Sequence, residues 1–325
     1  MLLFVSMYRG DTVGTDTINY INNVSMASGS IDVDMEEERT LEIAYTYIID
    51  FLSSHQLPEY YIIIIFSICT FLGLWLAARQ LDVSSSLLCT FFLVMGFYSL
   101  SLNIARQLVA IAFLMVAIGY LLNDNKKGFL LYAFIATSFH LSSILVLVLY
   151  PCSLIKLPKY ISYIGVLIAF VVGISLSKSD TVMKVINILS DRIFYFEHYT
   201  ESIEEATSLS FMGYLYKAIG LVLFSLIYFY QKDYKSQTSK IEILFIISLI
   251  IDYLFVSLGD IASRILILFK AIQLIYLCLF FQKNIKQSHY STILYIVFIL
   301  YFSYSTLSSL SNDSGEILNY ELREF

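Results

Sequence analysis

The chain has 325 residues, of which 58% are hydrophobic and 14% charged, and its formal net charge is −6. Apolar runs of about 20 residues recur along it, long enough to cross a hydrocarbon core of ~30 Å, and most show no polar face; this excludes a soluble domain and defines an all-α, polytopic integral membrane protein. The acidic residues gather in a few loops, so the net charge points to neither a nucleic-acid partner nor an acidic one.

The N-terminal run Met1–Met7 is apolar but too short to span and lacks a signal peptide's basic region. We read residues 1–8 as a truncated apolar N-terminus and expect a late start codon or a shortened chain. Residues 9–59 are polar, rich in Asp and Glu, and form an acidic loop. Within them, a helix is predicted from Glu38 to Leu52, because Leu41, Tyr45, Ile48, Ile49 and Leu52 recur at helical spacing. Such a helix would lie along the membrane surface or cap the helices below.

A membrane domain is expected over residues 60–310, with apolar spans near 60–78, 83–101, 104–122, 129–150, 160–177, 211–230, 241–258, 262–282 and 290–308. Lys and Arg in the short connections set orientation. Arg79, Lys126, Lys127, Lys232, Lys235, Lys240, Lys283 and Lys286 should face the cytoplasm. Simple alternation would put Lys156 and Lys159 outside and invert every later loop. A re-entrant hairpin over 129–155 removes the conflict, with arms of about 12–16 residues, roughly 18–24 Å of helix. Its polar tip would be His140 with Thr137, Ser138, Ser142 and Ser143. The total is then about nine or ten membrane segments. The acidic loop 9–59 and the acidic loop 179–210 become external, and a polar tail, 311–325, ends the chain.

The chemistry has to come from ionisable groups in or near these spans, since such groups are costly in hydrocarbon. Arg106 and Arg264 each sit in the first turn or so of a helix that begins on the outer side. Two helix N-termini, each with an arginine fork, suit a pyrophosphate. Lys217 could add a third positive charge, and Lys270 lies about two turns deeper than Arg264. Each has an alternative: an arginine or lysine at a helix end also snorkels to headgroups, and a histidine between packed helices also serves as a polar contact. Asp252 is either a buried partner for a cation or a packing residue. Asp11, Asp16 and the Glu36–Glu38 run would ordinarily be loop surface. The four cysteines have no CxxC spacing and suit packing. No Gly-rich nucleotide loop, HExxH, GxSxG or metal-ligand cluster is present, so no metal and no cofactor is expected.

The pattern Arg106-Gln107, an apolar helix, Lys126-Lys127, then Phe139-His140-Leu141-Ser142 resembles the EpsG family of Wzy-like exopolysaccharide polymerases. Val13-Gly14-Thr15-Asp16, Glu42 with Tyr45, and Ala262-Ser263-Arg264 resemble it too, so the similarity runs over most of the chain; the family's full first helix is the part missing here. The resemblance implies a GT-C-like fold in the bacterial cytoplasmic membrane. It implies polymerisation, on the outer face, of oligosaccharide units linked to undecaprenyl pyrophosphate, for exopolysaccharide or capsule. It singles out Asp16 and Glu42 as substrate-binding residues beside Arg106, Arg264 and Lys217. His140, Arg106 and Arg264 would be catalytic, with His140 as general base or as a group that orients the acceptor. A chain-length regulator and a flippase are the partners it implies, besides the bilayer. Two other functions fit the same charges: a lipid-linked oligosaccharide flippase, although no internal repeat is visible, and a membrane acyltransferase modifying the polysaccharide.

Overall fold

The computed structural model describes residues 1–29, 42–176, 211–230, 238–255, 259–311, 317 and 320–323; the side chains of 176, 211, 229 and 259–265 lie outside that description. The apolar runs singled out in the sequence are mostly helical in their described residues, two of them with a break. Among the described residues four helices are long and apolar enough to cross a membrane, Tyr61–Gln80 (α4), Ala105–Leu122 (α7), Leu266–Asn284 within Gly259–Asn284 (α13) and His289–Ser311 (α14), and a bent pair, taken as one span, would make a fifth. The chain is a multi-pass, all-α membrane protein. The described residues divide into two units, one of Met1–Leu147 with Cys278–Phe325 and the other of Val148–Leu277.

In the first unit α7 is the axis. Almost all of it is buried, as expected of a helix that is apolar all round. Gly73 of α4 lies against Ala112 of α7, and Gln80 against Gly119; small residues let the two backbones approach. Asn123 Nδ2 donates to Gln80 O at 3.3 Å, so the two helices run parallel and end together. Lys126–Phe139 (α8) runs antiparallel to α7, with Tyr132 stacked on Tyr120 and Phe139 on Phe113. Gln282 of α13 meets the same end, accepting from Ser84 N at 2.6 Å and donating to Asp82 O. Arg79, Lys126, Lys127 and Lys283 therefore gather at one end of this unit.

Two departures from the sequence reading concern single segments. The span expected over 83–101 is broken into Ser85–Val94 (α5) and Phe97–Asn103 (α6), bent by 68°. Gly96 takes φ +81, a conformation costly for other residues, and Thr306 of α14 donates to the freed Val94 carbonyl at 2.7 Å. The polar stretch after Arg9 also folds, as Thr17–Ala27 (α2), burying Tyr20, Ile21 and Val24. The surface helix is Ile43–Ser54 (α3), with Tyr45 and Leu52 buried; Leu41 and Glu38 lie outside the described residues, as does the loop 179–210.

α8 is 14 residues long, about 21 Å at 1.5 Å per residue, well short of a ~30 Å crossing. It stops at Phe139. His140 is extended (φ −152, ψ 116), and the chain resumes as a 3-10 helix, Leu141–Val148, then Leu149–Ser153 (α9). The break thus falls at the residue read as the polar tip.

In the second unit, Lys159–Leu176 (α10) and Lys240–Leu254 (α12) are parallel. Thr238 N donates to Leu157 O at 2.9 Å at one end, and Gly173 packs on the Tyr253 carbonyl at the other. Phe211–Tyr230 (α11) is antiparallel to both, with Ser225 beside Tyr163 and Lys217 beside Asp252. The residues just before α10 and α12 therefore meet at one end of this unit. Lys159, counted above as a free loop charge, is buried against Glu242 at 2.7 Å, so its charge is neutralised within the protein.

Candidate functional site

The shortness of α8 leaves a polar chain break beside α7, and α3 supplies the group that fills it. Glu42, at the start of α3, is buried. Its Oε1 accepts from His140 Nδ1 at 2.9 Å and from the Leu141 amide at 3.0 Å. Its Oε2 pairs with Arg106 Nη1 at 2.5 Å. One carboxylate therefore joins three groups that chain distance keeps apart: the first amide of the 3-10 helix, the imidazole at the break, and the arginine at the start of α7. Burial raises the Glu42 pKa, but the His140 hydrogen bond, the Arg106 and His140 charges and the Leu141 amide outweigh it. The carboxyl is held below its ordinary range.

Because an ionised carboxylate only accepts, the proton on this contact belongs to His140 Nδ1. In the neutral ring, Nε2 then carries the lone pair. The His140 side chain is 13% exposed and that of Arg106 22%, so neither is sealed from a ligand.

Arg106 is held further by stacking, its Cζ 4.4 Å from the Tyr45 ring centroid, a contact worth about 0.5–2 kcal/mol. Asn23 Nδ2 donates to the Tyr45 hydroxyl at 2.6 Å. Tyr20 packs edge-on to Tyr45 and Phe66, and its hydroxyl faces the Arg106 backbone amide. Burial first, and then the Asp16 charge, hold the Tyr20 phenol above its ordinary range.

The motif Val13-Gly14-Thr15-Asp16 docks on the α6–α7 junction. Thr15 Oγ1 and the Asp16 amide both donate to Asn103 Oδ1, at 2.7 and 3.3 Å. Gly14 has φ +86, and a Cβ there would collide with the Leu102 carbonyl. Asp16 makes no side-chain hydrogen bond or ion pair among the described residues, and its charge reaches Tyr20 and Tyr45. Arg9 lies beneath this loop, 3% exposed, with Nε on Thr17 Oγ1 at 3.3 Å and Nη1 on the Ser6 and Ser101 carbonyls. Residues 320–323 strap the same region. Gly10 N donates to Glu321 O at 2.7 Å, Arg323 N to Tyr8 O at 3.0 Å, and Arg323 pairs with Asp11 at 2.6 Å.

Of the residues expected from the sequence, Arg106, His140 and Glu42 come together, with Asp16 nearby. Lys217 belongs to the second unit, where it pairs with Asp252 at 2.8 Å; this decides Asp252 as a cation's partner. The Arg264 side chain lies outside the described residues, so the expected pairing of Arg106 with Arg264 is not among the contacts described. Asn103, Tyr20 and Arg9 escaped the sequence reading as site residues. Their roles are made by the α6–α7 break, and only the short Val13–Asp16 motif marked that region. Among the described residues no group of three His, Cys, Asp or Glu side chains could hold a metal.

A multi-pass membrane protein with a buried Glu–His–Arg cluster at a broken helix is the class these features define. The chain belongs to the EpsG family, whose model matches residues 1–322. That membership makes it a polymerase-like membrane protein of exopolysaccharide synthesis. No curated protein and no solved structure matches it.

Proposed function

We propose that this protein polymerises oligosaccharide repeat units carried on undecaprenyl pyrophosphate, at the outer face of the bacterial cytoplasmic membrane, with His140 as general base. The observation that carries this reading is the 2.9 Å contact between His140 Nδ1 and Glu42. It fixes the ring through Nδ1 and leaves the Nε2 lone pair to take a proton. In the reaction, Nε2 takes the proton of an acceptor sugar hydroxyl as its oxygen bonds to the anomeric carbon of the donor. The bond from that carbon to the pyrophosphate breaks, and the lipid pyrophosphate leaves with the electron pair. Glu42 stabilises the imidazolium that forms. Arg106 offers its remaining guanidinium N–H groups to the developing negative charge, and the free Asp16 carboxylate is available to sugar hydroxyls.

The orientation rests on charge. In the first unit Arg79, Lys126, Lys127 and Lys283 gather at the end of α4 and α7 opposite to Arg106, and by the positive-inside rule this supports an outward-facing Glu42 cluster. Arg264 keeps the role that the sequence gives it, a cation for pyrophosphate, and is tested by its own variant. A chain-length regulator and a flippase are the partners proposed.

The test is the polysaccharide profile of a deletion strain. Polymerase function predicts intact, flipped single repeat units and no long chains. Units trapped on the cytoplasmic side would instead identify a flippase. Normal chain length with a missing ester substituent would identify an acyltransferase.

A further inference from the structure

The second unit holds a cluster that the Glu42–His140 chemistry does not use. Lys217 of α11 donates to Asp252 Oδ2 of α12 at 2.8 Å. Lys270 of α13 lies close enough for its charge to act on both. Two lysines therefore face one carboxylate within apolar helices, and only one of them, Lys217, is paired with it by a hydrogen bond. Charges in such surroundings persist when an opposite charge meets them or when they serve a ligand.

Two further buried polar atoms lack a hydrogen-bond partner among the described residues. Asp252 is 7% exposed, and its Oδ1 accepts no hydrogen bond; Gln273, one turn beyond Lys270 on α13, is 4% exposed, and its Nε2 donates none. A second lysine, an unmatched amide donor and an unmatched carboxylate oxygen make a specific set. Anionic oxygens would satisfy Lys270 and Gln273, while a hydroxyl or amide N–H would satisfy Asp252 Oδ1. The Lys217 side chain is 21% exposed, which leaves an approach to the cluster.

We infer that Lys217, Asp252, Lys270 and Gln273 form a binding site for the diphosphate of an isoprenyl-linked sugar. The lysines and Gln273 hold phosphate oxygens, and Asp252 holds a donor group of the first sugar. The assignment to an isoprenyl diphosphate rests on the polymerase reading, in which both donor and acceptor carry that group. The acceptor's diphosphate survives the reaction and needs a site that binds it without assisting its departure. A carboxylate in the site suits that task, since it opposes further negative charge.

The experiment uses the full-length protein purified in detergent and farnesyl diphosphate as the probe, read by ligand-dependent thermal shift and by titration. Wild type should bind farnesyl diphosphate at least tenfold more tightly than farnesol or phosphatidylglycerol. Lys270→Met should weaken binding at least tenfold. Lys217→Met removes the hydrogen bond that Asp252 accepts and can fail to fold, so the double variant Lys217→Met/Asp252→Asn is its companion, with the same expected loss. Equal binding by farnesol or phosphatidylglycerol, or undiminished binding by Lys270→Met, overturns the site. The polymerase reading fails separately, on the chain length made by the deletion strain.

Discussion

Glu42 and His140 are 98 residues apart in sequence, yet the Glu42 carboxylate holds His140 Nδ1 at 2.9 Å while pairing with Arg106 on its other oxygen. The acid that orients the imidazole also holds the arginine. A change at Glu42 should therefore disturb both the base and the cation.

His140→Gln keeps a hydrogen-bonding group but cannot take a proton at neutral pH. It should lower polymer synthesis by about 10²–10⁴-fold, the usual worth of general-base catalysis, at matched membrane expression. Glu42→Gln, which can present an amide donor to the ring and favour the wrong tautomer, should cost about 10²-fold or more. Near-normal chains from His140→Gln would rule out the base.

Arg106→Lys keeps the charge but loses the planar fork and the stacking on Tyr45. We expect at least a tenfold loss of polymer, about 1.4 kcal/mol of barrier, and the same from Arg264→Lys. An arginine whose lysine variant makes chains of normal length is a snorkelling residue.

The depressed pKa of Glu42 gives a pH dependence with a definite sign. Its stabilisation is complete above the ordinary carboxyl value of ~4.3 and is lost as pH falls through the lower folded value. Wild type should thus exceed Glu42→Gln in thermal stability at pH 7. The gap should close on acidification below the ordinary carboxylate range. A gap independent of pH would show that the carboxylate charge is not what Glu42 contributes.

Gly14→Ala meets both a left-handed backbone, which costs about 1–2 kcal/mol, and the Leu102 carbonyl. The loop carrying Thr15 and Asp16 should undock from Asn103. Limited proteolysis near residues 11–16 should accelerate, and polymer yield should fall although no site side chain is altered. Unchanged proteolysis would show that the loop tolerates the methyl group.

Labelling tests the orientation. In a background without the four native cysteines, Asp82→Cys and Asp124→Cys should both resist an impermeant thiol reagent in intact cells, and Glu321→Cys should react. Reaction at Asp82→Cys and Asp124→Cys with none at Glu321→Cys would invert the first unit and its site.

The helical segments were legible because apolar run length is a local property, and so was the interruption at His140, where hydroxyl residues flank an ionisable one. The kink at Gly96 was not, because the run on either side stays apolar and Thr306, which satisfies the freed carbonyl, comes from a distant helix. Arg106 and His140 could be marked as unusual from the cost of charge in hydrocarbon alone. Their joining through Glu42 could not, since it depends on α3 entering the gap that α8 leaves. The polar helix α2 escaped because the apolar part of its buried face is only Tyr20, Ile21 and Val24, flanked by Thr17 and Ser25. Asp252 was legible as costly but not as a partner, because Lys217 lies 35 residues before it on another helix.

The strap formed by residues 320–323 sets an order of assembly. Asp11 and Arg323 are 312 residues apart, and every described helix except Leu2–Met7 lies between them, so the strap closes only after all of these helices have been made. Until then Arg9, among the most deeply buried charges in the first unit, has no Leu322 beside it. Contacts of such long sequence separation form late. The protein therefore passes through a stage with its helices inserted and its N-terminal loop still open.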